Sequence, residues 1–115
     1  MGALRIFGSM SRKVVITAAG LGTRLLPTTK ELPKEMLPIH VRGSKGQPVL
    51  KPLLQALFEQ LHSYGFREFC FVVGRGKRAI EDHFTPHWDF VEKLEKTSET
   101  SQVTDLVNFY KMLEE

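Results

Sequence analysis

Two short apolar runs constrain the fold of this chain more than any other feature. Lys13–Ala18 reads KVVITA, and residues 69–73 read FCFVV. Both are rich in β-branched or aromatic residues and neither alternates with polar ones. That pattern belongs to strands buried on both faces, not to strands with a wet side. Between them lie a segment broken by glycine and proline and then a helical repeat. Strand, loop, helix, strand is a βαβ order, which requires the two strands to run parallel. Two parallel strands cannot by themselves cover both of their faces. The pattern therefore predicts an α/β fold whose parallel sheet is incomplete in this chain, which reads as the first part of a larger domain.

Helices follow from the spacing of apolar residues. Residues 49–64 place Leu50, Leu53, Leu54, Leu57, Phe58 and Leu61 on one side, with Pro52 in the first turn and Gly65 as the stop. Residues 78–84 form a short helix closed by Pro86, and residues 89–96 another. Residues 101–115 carry Val103, Leu106, Val107, Tyr110 and Leu113 along one side. Trp88 and Phe90, just after Pro86, read as core anchors. The opening MGALRIFGSM is set aside from the fold as a leader or appended residues, with Met10 as the natural start. Residues 11–115 then form one domain.

The segment AAGLGTRLLPTTKELPKEMLPI carries the chemistry. Residues 19–48 hold too many glycines and prolines for long helices and read as an extended functional loop, with at most a short turn after Gly22. The loop leaves the carboxyl end of the first strand, where ligands bind in open α/β sheets. Gly20 and Gly22 let backbone N–H groups approach a ligand with no Cβ between, forming an anion-binding concavity. Thr23 offers a hydroxyl, and Arg24 a permanently charged fork suited to phosphate oxygens. Lys34 lies between Pro33 and Pro38, where the restricted chain holds a charge with less loss of entropy. The spacing fits neither the P-loop nor the dinucleotide fingerprint, in which Leu25 would have to be glycine and Pro27 interrupts the helix.

Composition narrows the partners. With a net charge of +3, the chain is only mildly basic, which suits small anionic substrates and does not argue for nucleic acid. The one local cluster, Arg75, Lys77 and Arg78, reads as a solvated turn. No apolar run reaches the roughly 18 residues of a membrane span. The single cysteine, Cys70, sits in an apolar run as a small buried hydrophobe, and a cytoplasmic setting is expected. His40, His62, His83 and His87 have no metal-ligand spacing, and His62, near a helix end, is expected to be half exposed.

Taken in order, Ala18-Ala19-Gly20-Leu21-Gly22-Thr23-Arg24, Leu26-Pro27, Thr29-Lys30 and Pro33-Lys34-Glu35-Met36-Leu37-Pro38 resemble the signature of the sugar-1-phosphate nucleotidyltransferases, G-x-G-T-R-x-x-P followed by P-K. Ala-Ala-Gly-Leu-Gly and Lys-Glu-Met look like the bacterial and archaeal UTP–glucose-1-phosphate uridylyltransferases more than the thymidylyltransferases. Ile80-Glu81-Asp82-His83-Phe84 is similar to the same group. The resemblance implies a Rossmann-like nucleotidyltransferase domain, of which residues 11–115 are the N-terminal part. It implies UTP and a sugar 1-phosphate as partners, with UDP-glucose and pyrophosphate as products. The backbone of Ala18, Ala19, Gly20, Leu21 and Gly22, with Thr23, would hold uracil and phosphates. Arg24 and Lys34 would be catalytic: Arg24 neutralising the leaving pyrophosphate, Lys34 bridging oxygens near the α-phosphorus. Glu35 would lie at the nucleotide. Mg²⁺ is expected, yet no residue before Glu115 matches the family's metal-binding aspartate, since Asp82 and Asp89 stand in another context. On that ground the chain is expected to be inactive alone, and a homo-oligomer would be one way to complete the sheet. Three readings compete: a non-catalytic nucleotide-binding module, a thymidylyltransferase, and a dinucleotide-dependent oxidoreductase.

Overall fold

The computed structural model describes residues 2–6, 13–74, 76–97 and 100–115. Its main sheet has three strands in the order β1 (Gly2–Ile6), β5 (Glu68–Val73), β2 (Lys13–Ala18). β2 and β5 are parallel, with Ala18 opposite Val73 and Val14 opposite Phe69. Residues 2–6, set aside by the sequence pattern, instead join the fold. They pair antiparallel along the other side of β5, where its unpaired N–H and C=O groups offer a ready ladder. Met10 lies outside the described residues.

Burial alternates along both parallel strands despite their continuous apolar sequence. Phe69, Phe71, Val73 and Ala18 are buried, whereas Val15 is 67% exposed and Cys70 and Val72 are half-buried. The expected burial on both faces is therefore corrected: among the described residues the helices cover one face. Among the described residues there are four α-helices: α1 (Leu53–Ser63), which precedes β5, and α2 (Arg78–His83), α3 (Trp88–Thr97) and α4 (Thr100–Glu114), which follow it.

The core on the covered face is aromatic. Phe58 of α1 stands 4.6 Å from Phe69 and 5.9 Å from Phe109, and Phe71 stands 4.7 Å from Phe84. Offset and edge-on rings of this kind interlock α1, α2, α4 and β5 around one centre. α1 ends as expected at Gly65 (φ 101°), with the Phe66 and Gly65 amides donating to the Leu61 and His62 carbonyls.

Three further expectations are corrected. Part of the segment read as loop is a hairpin of β3 (Pro38–Arg42) and β4 (Pro48–Pro52), turned by Gly43 and Gly46. Its second strand takes the first residues assigned to α1, so the helix starts after Pro52, and Leu50 and Leu53 are left exposed. Trp88 and Phe90 are 41% and 46% exposed, because α3 buries only Val91. Trp88 instead packs edge-on against Tyr110 at 5.3 Å and donates to Glu114. His62 is buried, not half exposed, since the chain folds back over it after Gly65.

A polar relay borders the core. Lys51 pairs with Glu59 at 2.6 Å, and Gln55 Nε2 donates to Glu59 at 2.8 Å. That leaves the Gln55 carbonyl to accept from His83 Nε2 at 2.7 Å. Burial pushes the His83 pKa below its ordinary 6.5, against the opposing pull of Glu59. Burial and Arg67 lower His62 likewise, outweighing the Glu115 carboxylate 2.9 Å away. Both rings are thus more readily protonated in the unfolded chain than in the folded one. Their contribution to stability is complete above the ordinary value and is lost as pH falls below it. The urea midpoint should accordingly drop between about pH 7.5 and about pH 5.5, and His83→Gln should flatten that dependence. A midpoint independent of pH in this window would contradict the assignment.

Candidate functional site

Parallel pairing brings the carboxyl ends of β2 and β5 side by side, so the loops after Ala18 and after Val73 meet. Their closest approach is at Gly74, where a Cβ would lie 3.2 Å from the carbonyl oxygen of Ala19. A side chain at that position would crowd fixed backbone, which explains a glycine at the end of β5.

The two glycines of the first loop serve different ends. Gly22 adopts the left-handed conformation (φ 66°), and its carbonyl accepts a 2.6 Å hydrogen bond from Thr29 Oγ1. A Cβ there would press on Thr29 at 3.1 Å. Gly20 faces Lys34: a Cβ at Gly20 would lie 3.5 Å from Lys34 Nζ. The lysine ammonium thus stands directly over the glycine loop, joining two parts of the sequence expected to meet one ligand.

The other expected residues are placed as follows. Ala18 is buried at the end of β2, Ala19 is half-buried, and Leu21 is 83% exposed. Thr23 and Arg24 belong to a 3-10 turn (Thr23–Leu25) following Gly22, the short turn anticipated there. Arg24 is exposed, with its guanidinium free of protein partners among the described residues. Lys34, Glu35 and Met36 form a second 3-10 turn, which the Leu37 carbonyl ties to the first amide of α1 at 2.9 Å.

Glu35 behaves differently from its neighbours. Its side chain turns inward, is 9% exposed, and accepts a 2.7 Å hydrogen bond from Lys77 Nζ. Lys77 precedes α2 on the turn after β5 and is equally buried. The sequence placed it in a solvated cluster with Arg75, which lies outside the described residues, and Arg78, which is exposed. A signal was present all the same: Lys77 follows a glycine turn at the carboxyl end of the second parallel strand, where it must face the first loop. The arrangement is a shallow rim of backbone amides and two solvent-facing cations, Arg24 and Lys34, backed by a buried ion pair. Such a rim can hold a polyanion.

Comparisons with known proteins identify the family of the chain. Residues 13–108 match the family model described as nucleotidyl transferase. The chain is 45% identical over 96 residues to UTP–glucose-1-phosphate uridylyltransferase of Bacillus subtilis, covering 84% of this chain and 28% of that protein. It is 41% identical over 106 residues to the enzyme of that name from Pseudomonas aeruginosa, covering 92% and 34%. The structure of an apo UDP-glucose pyrophosphorylase superposes with a TM-score of 0.69 at 34% identity, over 90% of this chain and 34% of that one. A UDP-glucose pyrophosphorylase complexed with UDP-glucose gives 0.56 at 34% identity, over 89% and 32%. The chain therefore spans about a third of the length of these relatives.

The two glycines should respond unequally to substitution. Gly22→Ala should destabilise the protein by roughly 1–2 kcal/mol, the left-handed penalty of an L-residue. Gly20→Ala, which meets only the end of a flexible lysine, should stay within about 0.5 kcal/mol. Urea denaturation of both variants checks this, and equal losses would contradict the distinction.

Proposed function

Since the chain belongs to the nucleotidyl transferase family, matched over residues 13–108, we propose that it forms the nucleotide-binding portion of a UTP–glucose-1-phosphate uridylyltransferase. Residues 11–115 are the N-terminal part of that enzyme's domain in this reading, which sets it in the cytoplasm. No described helix is long and apolar enough to cross a membrane. The observation that carries the proposal is Lys34 Nζ held over Gly20, at the carboxyl ends of two parallel strands.

An oxygen of the sugar phosphate attacks the α-phosphorus of UTP in line. The bond from that phosphorus to the bridging oxygen breaks, and pyrophosphate leaves with the electron pair. Nothing covalent is asked of the protein; orientation and charge neutralisation carry the rate. The backbone from Ala18 to Gly22, with Thr23, lines the uracil edge and the phosphates. Lys34 reaches the oxygens around the α-phosphorus from the far side of Gly20. Arg24, free of protein partners among the described residues, meets the charge growing on the leaving pyrophosphate. Glu35 contributes by its position and not by its carboxylate, which Lys77 occupies.

Mg²⁺ would accompany the triphosphate. The described residues do not fit a resident ion: no group of three or more His, Cys, Asp or Glu side chains is assembled among them.

The test is turnover in the protein that carries this chain, with UTP and glucose 1-phosphate and Mg²⁺ present. UDP-glucose and pyrophosphate should form, and dTTP should be the poorer substrate. Arg24→Ala and Lys34→Ala should each lower kcat by about 10²–10³, the size found when one charge-stabilising donor is removed. Full activity in both variants would refute the roles, and a preference for dTTP would shift the reading to a thymidylyltransferase.

A further inference from the structure

Lys34 is exposed, and among the described residues no side chain pairs with it, so its place over Gly20 is set by the backbone that carries it. That backbone is a single 3-10 turn between Pro33 and Leu37. The next residue, Glu35, makes the turn's one buried ionic contact, to Lys77 from 42 positions further along the chain. Lys77 is itself fixed. Its amide donates to the Gly74 carbonyl at 3.3 Å, its carbonyl accepts from Ile80, and Ile80 is fully buried in the core. Gly74, at the start of this turn, packs on Ala19. One short turn after β5 therefore touches both halves of the phosphate rim: the glycine loop through Gly74, and the lysine segment through Lys77.

We propose that Lys77 is a positioning residue, whose ion pair with Glu35 holds Lys34 in register with the glycine loop. This rests on the uridylyltransferase reading for its catalytic consequence, though not for its geometry. A buried ion pair is a poor source of stability, because removing two charges from water offsets most of their attraction. It is well suited to placement, because the carboxylate accepts only along defined directions and the ammonium donates to it at 2.7 Å. An apolar pair would fill the same space without fixing the direction in which residue 34 points.

Four forms of the protein that carries this chain separate these roles: unsubstituted, Lys77→Met, Lys77→Arg, and Lys77→Met with Glu35→Met. Each is measured for melting temperature and for kcat and KM with UTP, and the three forms that keep Glu35 for trypsin cleavage after Lys34 by mass spectrometry. Lys77→Met should lose about a hundredfold in kcat, the scale of a misplacement of about 1 Å, with KM changed less than about threefold. Lys77→Arg should keep most of the turnover. The double variant should regain the melting temperature yet remain slow. In Lys77→Met, which keeps Glu35, the bond after Lys34 should be cut about tenfold faster while cleavage after Lys111 is unchanged. A stable double variant with full turnover would overturn the proposal, as would unchanged cleavage in Lys77→Met. If the unsubstituted protein makes no UDP-glucose, the uridylyltransferase reading fails by itself. Cleavage at Lys34 then still decides whether Lys77 places that residue.

Discussion

The parallel pairing of β2 with β5 is the constraint on which the rest of this structure depends. Antiparallel neighbours would send the two following loops to opposite edges of the sheet. Parallel ones send both to the same edge, Ala18 beside Val73, and leave the helix between them to return along one face. Everything at the rim is a consequence. Gly74 meets Ala19, Lys77 comes within reach of Glu35, and Lys34 comes to stand over Gly20. The aromatic centre on the covered face serves the same end, since Phe69 and Phe71 of β5 are clamped by Phe58 and Phe84 from the two helices that flank it in sequence.

The rim separates two uses of charge. Arg24 and Lys34 face solvent, and among the described residues no carboxylate pairs with either, which leaves their charge open to an anion. Glu35 and Lys77 are buried and neutralise one another. An unpaired Glu35 beside Lys34 would compete with a phosphate for that ammonium at close range. Drawing the carboxylate inward removes the competitor and turns it into an anchor, so one pair of buried charges maintains the positive character of the rim.

Much of this was legible in the sequence, and the parts that were not have physical causes. Continuous apolar strands, helix periods of 3.6 and the glycine stop at Gly65 are local signals, and the two parallel strands and the four helices follow from them, α1 with a later start. Burial depends on what lies across from a residue. Val15 is as apolar as Val14, and only the covering of one face among the described residues separates them. Leu50 and Leu53 fall on an apolar helical stripe, yet the hairpin ending at Pro52 takes Leu50 out of the helix. The hairpin escaped because Gly43, Gly46 and Pro48, which build its turn, also break the alternation by which strands are recognised. Of the site, the glycine loop, Arg24 and Lys34 could be named because backbone amides and cations at a strand end carry a chemistry of their own. Lys77 could be placed facing the first loop by the glycine turn before it, but its pairing with Glu35 could not be read, because that partner lies 42 positions away.

The G-x-G spacing shows the same limit at finer scale. As a string it says only that two positions tolerate no side chain. In the structure one glycine is required by conformation and the other by proximity. Gly22 sits at a positive φ with its carbonyl bound to Thr29, which fixes the path of the chain into the turn bearing Arg24. Gly20 is left bare beside Lys34 Nζ, so that a ligand can reach both backbone amide and ammonium. One glycine shapes the loop and the other opens it. In the proposed reading the cations on either side, Arg24 after the shaped end and Lys34 across the open one, would approach a bound polyphosphate from different directions. Two directions of approach are what an in-line displacement at phosphorus requires, because charge changes at opposite ends of the reacting axis.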